Sequence, residues 1–63
     1  MTLEDARKWL AMNHRIRRKR WKKHIQCTAI YEFEGHEYMK LWGFPKNQRL
    51  TEDQAKATDW EKC

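Results

Sequence analysis

The sequence predicts an α+β domain in which an N-terminal helix packs on a small antiparallel sheet, followed by a short C-terminal helix and a closing strand. Three stretches carry that expectation. Thr2-Leu3-Glu4-Asp5 opens an apolar stripe at helical spacing; a period-two alternation from Ile25 runs into a glycine turn and a second alternating segment; and Thr51 to Gln54 has the form of a capping box. The 63 residues make one domain, 1–63. A chain this short buries only about 60% of the surface its unfolded form exposes, so self-association is expected to supplement a small core.

The first helix starts at Thr2, whose hydroxyl can accept from the free amides of the first turn, while Glu4 and Asp5 sit at the positive end of the helix dipole. Leu3, Ala6 and Leu10, with Trp9 beside them, form the face toward the sheet, and Glu4, Arg7 and Lys8 the face toward water. The helix runs to about Met12, where Asn13, a residue that tolerates the left-handed conformation, stops it. His14 to Arg18 reads as an exposed strand with Ile16 inward and Arg15 and Arg17 outward.

Cys27, Ala29, Tyr31 and Phe33 then alternate with Gln26, Thr28, Glu32 and Glu34, a pattern broken only by Ile30. Glu34-Gly35-His36 supplies the turn, and Tyr38 to Trp42 returns with Met39 and Leu41 on one face and Tyr38, Lys40 and Trp42 on the other. Apolar groups on both faces imply burial by the helix on one side and by a second subunit on the other. Gly43-Phe44-Pro45 ends the strand and 46–49 reads as loop. A short helix follows from Thr51, with Gln54 reaching back to the cap and Leu50 packing on Ala55 as a staple. A last extended piece begins at Thr58 and carries Trp60 toward the core or the edge of a pocket.

Charge is unevenly distributed. The net charge is +5, yet seven of the fourteen basic residues lie between Arg15 and Lys23, interrupted only by Ile16 and Trp21. The rest of the chain carries seven basic against nine acidic residues, so the positive field is local and selects an anionic partner. Cys27 and Cys63 match neither a redox pair nor a zinc site, His14, His24 and His36 are scattered, and no metal or cofactor is expected. There is no serine, no glycine elbow before a cysteine and no glycine-rich phosphate loop, which points away from an enzyme. No apolar run is long enough to span a bilayer and the N-terminus is acidic where a signal peptide is basic, so the expected location is the cytoplasm.

Cations interleaved with an aromatic are what a nucleotide requires: guanidinium forks for phosphate oxygens and a flat ring for the base. Arg17, Arg18, Lys19, Trp21 and Lys22 offer both. The plainer alternative is a solvated basic strand with Trp21 at the edge of the core. A nucleic acid would use the charges diffusely, whereas a small nucleotide would use two or three of them around one aromatic pocket.

The order of motifs resembles a family of small phage domains, the Thoeris anti-defence family, second type. The resemblance runs through the capped helix Thr2-Leu3-Glu4-Asp5-Ala6-Arg7-Lys8-Trp9-Leu10 and the basic motif Ile16-Arg17-Arg18-Lys19-Arg20-Trp21. It continues through the glycine-turn hairpin and the closing Ala57-Thr58-Asp59-Trp60-Glu61, and so spans nearly the whole chain. The chain departs from the family in a shorter middle, in polar Gln54 and Lys56 where apolar residues are usual, and in Asn13 where glycine is common.

The resemblance implies a homo-oligomeric sponge that binds a cyclic nucleotide immune signal, a cyclic ADP-ribose isomer or a cyclic dinucleotide, and holds it without cleavage in the host bacterial cytoplasm. Carried onto this chain, Trp21 is the candidate for base stacking and Arg17, Arg18 and Lys19 for the phosphates, with Tyr38 and Trp42 as further pocket or interface candidates. Asp59 and Trp60 are expected to fix the closing segment. The alternative is a small nucleic-acid-binding or host-inhibitor protein acting through Arg15 to Lys23.

Overall fold

Both capping signals form as the sequence predicts. In the computed structural model, which describes residues 1–63, helix α1 spans Leu3–Ala11 and the Thr2 hydroxyl accepts from the Asp5 N–H at 3.2 Å. Asn13 follows with φ of 67°, the left-handed conformation that ends the helix. Helix α2 spans Glu52–Lys56, and its capping box is reciprocal: Thr51 accepts from the Gln54 N–H while the Gln54 side chain accepts from the Thr51 N–H.

Five strands complete the chain: β1 (Ile16–Arg18), β2 (Cys27–Phe33), β3 (His36–Leu41), β4 (Gln48–Arg49) and β5 (Trp60–Lys62). They form one antiparallel sheet in the order β4-β3-β2-β1-β5. The β2–β3 turn has two residues, Glu34 and Gly35, with φ of 50° and 79°. Positive φ at both positions matches the strands' right-handed twist, and a glycine relieves one of the two.

Three expectations need correction. The basic strand is not exposed: β1 lies inside the sheet between β2 and β5, with Ile16 fully buried, because β5 returns across the sheet and pairs along it. Residues 46–49 are not all loop, since Gln48 and Arg49 pair with Met39 and Tyr38. The alternation in β2 also shifts face at a bulge between Cys27 and Ala29. Opposed residues in an antiparallel pair share a face, so Cys27 and Ile30 turn toward the core with Leu41 and Met39, while Ala29 and Tyr31 turn away with Lys40 and Tyr38. Ile30 therefore obeys a pattern whose phase the bulge has moved by one residue.

Leu3, Ala6, Ile16, Cys27, Met39, Leu50 and Trp60 make the buried core. Both helices cover this one face: Arg7 on α1 ion-pairs with Glu37 of β3, and the Trp60 indole N–H donates to the Gln54 carbonyl of α2 at 2.9 Å. No helix is long and apolar enough to cross a membrane. The Cys27 thiol lies in the core and donates to the Ala29 carbonyl at 3.3 Å, and burial pushes its pKa up to about 11. A buried, protonated thiol is a poor nucleophile. Iodoacetamide at neutral pH is expected to label exposed Cys63 and spare Cys27 in the native protein and to label both in urea, which peptide mass mapping reads directly.

Candidate functional site

The basic segment leaves the sheet at Arg18 and makes two successive turns, closed by Trp21 N–H to the Arg18 carbonyl at 3.0 Å and Ile25 N–H to the Lys22 carbonyl at 2.9 Å. These turns sort the residues. Trp21 and Ile25 fold back against the domain, and Lys19, Arg20, Lys22, Lys23 and His24 are left exposed.

The seven cations between Arg15 and Lys23 do not act alike. Arg18, the most enclosed of them, ion-pairs with Asp59, and Arg17 reaches Glu61 at 2.9 Å, both across the β1–β5 pairing. The two arginines that the sequence offers for phosphates therefore carry carboxylate partners. Lys19 and its neighbours Arg20 and Lys22 have no carboxylate within ion-pair reach, so they remain available to an anion.

The hydrogen bond from Arg18 holds the Asp59 carboxyl below its ordinary range. A carboxylate lowered in the folded state stabilises the fold above its ordinary pKa, and that contribution is lost as pH falls through the lowered value. The melting temperature is therefore expected to drop below about pH 4, and Asp59→Asn to flatten the drop; equal acid sensitivity in that variant would count against the pair as its source.

Trp21 packs edge-on against Trp60, with ring centroids 5.4 Å apart and planes at 79°. Its exposed part walls a groove of about 320 Å³ shared with Ile25, Met39, Leu41, Phe44, Gln48 and Gln54. The lining suits a flat heterocycle: apolar walls for its faces, the Gln48 amide able to donate to or accept from its edge, and the Gln54 amide, whose oxygen accepts from Thr51, with its N–H groups to donate. Comparison with known protein families, characterised proteins and solved structures finds no match.

Tyr38 and Trp42 do not join this groove. They lie on the opposite face of the sheet, where Tyr38 stacks on Tyr31 at 5.7 Å and the Arg15 guanidinium lies 4.4 Å from the Trp42 ring centroid. A larger hollow, about 630 Å³, sits between the hairpin turn and α2, but Glu37 and Glu52 line it together with His36 and Arg49. No Trp, Tyr or Phe lines that hollow and its two carboxylates are already paired with Arg7 and Lys56, so it offers a base no broad ring to stack on, and the smaller groove is the better nucleotide site. Sequence reasoning missed Phe44, Gln48 and Gln54. Only Gln54 carried a signal, as the capping-box residue, and that signal concerned the helix end.

Proposed function

We propose that the protein is a phage-type anti-defence sponge that binds a cyclic nucleotide immune signal, a cyclic ADP-ribose isomer or a cyclic dinucleotide, and sequesters it uncleaved in the host bacterial cytoplasm. The observation that carries this reading is the groove beside Trp21, which combines an aromatic wall with two amides; the exposed and unpaired Lys19, Arg20 and Lys22 flank Trp21 in the chain, on the turns that carry it. The base lies against Trp21 and Phe44, Gln48 and Gln54 meet its edge, and the lysines and Arg20 take the phosphates. Asp59 and Trp60 act through the framework: they hold Arg18 and the Trp21 ring in place.

A sponge must outcompete the host effector, and nanomolar affinity corresponds to about −12 kcal/mol. Stacking supplies roughly 1–3 kcal/mol per base and each hydrogen bond to a charged group about 1.5–3 kcal/mol. One half-open groove falls short of that total, so in this reading the protein is a homo-oligomer whose second subunit closes the groove over the exposed side of Phe44, adding contacts and excluding water.

Calorimetry against a panel of cyclic ADP-ribose isomers and cyclic dinucleotides is expected to find one tight ligand. Chromatography of the supernatant after heat denaturation is expected to recover it intact. Absence of binding across the panel would overturn the proposal, and recovery of a hydrolysed product would replace the sponge with an enzyme.

A further inference from the structure

The face of the sheet away from the helices is uncovered, and it is not a neutral surface. From the strand register it carries Tyr31 and Phe33 of β2 and Tyr38 of β3, with Trp42 just past the end of β3. Phe33 and Trp42 are 57% and 55% exposed. The first three rings touch: Tyr31 stacks on Tyr38, and Phe33 meets Tyr38 edge-on at 6.5 Å. Trp42 stands apart, about 13 Å further along the strand, with Lys40 between.

Three cations border these rings without a carboxylate partner. Arg15 lies over Trp42 and reaches Gln26, Lys40 projects near the end of β3, and Arg49 on β4 hydrogen-bonds with the His36 ring and makes no ion pair. The one acid facing this side from the strands, Glu61, is already held by Arg17. A second copy of the chain seated here by a two-fold axis would bring the same three free cations against themselves. A flexible polyanion with stackable bases meets both features at once, the rings through its bases and the cations through its phosphates.

We propose that this open face binds single-stranded nucleic acid without sequence preference. One base stacks on the part of Trp42 that Arg15 leaves exposed, another on the Phe33–Tyr38 cluster, and the linking backbone passes Lys40 toward Arg49. The proposal is independent of the groove beside Trp21, which lies on the other side of the sheet.

Fluorescence anisotropy of the full chain with labelled oligo-dT and oligo-U, and with a duplex of the same length, tests it across a salt series. Single strands are expected to bind with a logarithmic salt slope of about −2, for three phosphates at roughly −0.7 each. Trp42→Ala is expected to weaken binding by about 5- to 150-fold with the slope unchanged, and Lys40→Gln to shallow the slope by about 0.7. Both positions are exposed, and circular dichroism checks that the fold is kept. The tighter of the two single strands distinguishes RNA from DNA as the source.

Duplex bound as tightly as single strand and indifferent to Trp42→Ala would overturn the proposal in favour of plain electrostatics at residues 19–23. No binding at low salt would overturn it as well. So would sedimentation showing a dimer that Trp42→Ala splits, since a second copy would then occupy the face.

Discussion

Replacing Trp60 by alanine is expected to strip the protein of about a third or more of its stability. The indole is completely buried, the largest such side chain in the molecule, and it contacts both layers: its N–H donates to α2, Trp21 packs on its ring, and its backbone pairs with Arg18 across β5 and β1. Emptying such a site costs about 3–5 kcal/mol, because so small a core has few neighbours able to collapse into the cavity. Total stability for a chain of this length is roughly 3–9 kcal/mol, at about 0.05–0.15 kcal/mol per residue, so the loss takes about a third of it at the least and all of it at the most. Trp60→Phe keeps most of the volume and gives up the hydrogen bond, and is expected to fold with a lower melting temperature. Thermal melts by far-UV circular dichroism separate the two variants. A cooperative Trp60→Ala melt near the wild-type temperature would mean that the core is organised around some other residue.

The elements that sequence made legible are those whose causes are local. Thr2 and Thr51 cap from within three residues of the amides they serve, and Glu34-Gly35 needs only its own φ angles to turn a hairpin. Asn13 accepts the left-handed angle at a place where the resembled family commonly has glycine, which keeps that departure compatible with a helix stop. What stayed hidden is non-local. β4 is two polar residues whose strand character comes from pairing to β3, so neither alternation nor β-branching marks it.

The bulge at Thr28 changes the phase of an alternation without changing its composition, and it therefore left Ile30 looking like an exception. The fates of Arg17 and Arg18 depend on Glu61 and Asp59, more than forty residues further along the chain. A faint trace was present: acids at Asp59 and Glu61 on either side of Trp60 complement two adjacent arginines once the strands are antiparallel. Read alone, the basic run resembles a single binding surface. The fold divides it into a structural pair in the sheet and a free group on the turns beyond, and the candidate site moves with that division from the strand to the groove that Trp21 and Ile25 border.

If the groove holds a cyclic nucleotide as proposed, Trp21→Ala is expected to weaken its binding by about 5- to 150-fold, the worth of one stacked base. The same change removes a partner of Trp60 and so lowers the melting temperature, and a loss of binding could then follow from unfolding alone. Two measurements separate the causes. Ligand at a hundred times its dissociation constant stabilises the folded state by about 2.7 kcal/mol, which in a domain of this size raises the melting temperature by roughly 10–20 °C. If Trp21 stacks on the base, at the same ligand concentration the Trp21→Ala protein keeps about a tenth to two thirds of that increment above its own lowered baseline; if the ring is only structural, the increment survives intact. The double variant Lys19→Gln with Lys22→Gln attacks the phosphates from exposed positions and leaves Arg20, so its ligand-free melting temperature is expected to match wild type while its affinity falls and its salt dependence becomes shallower. A sponge that used the groove would show both losses. Retention of full affinity in both variants would show that the ligand sits elsewhere, because a nucleotide in this groove lies against the Trp21 ring that walls it.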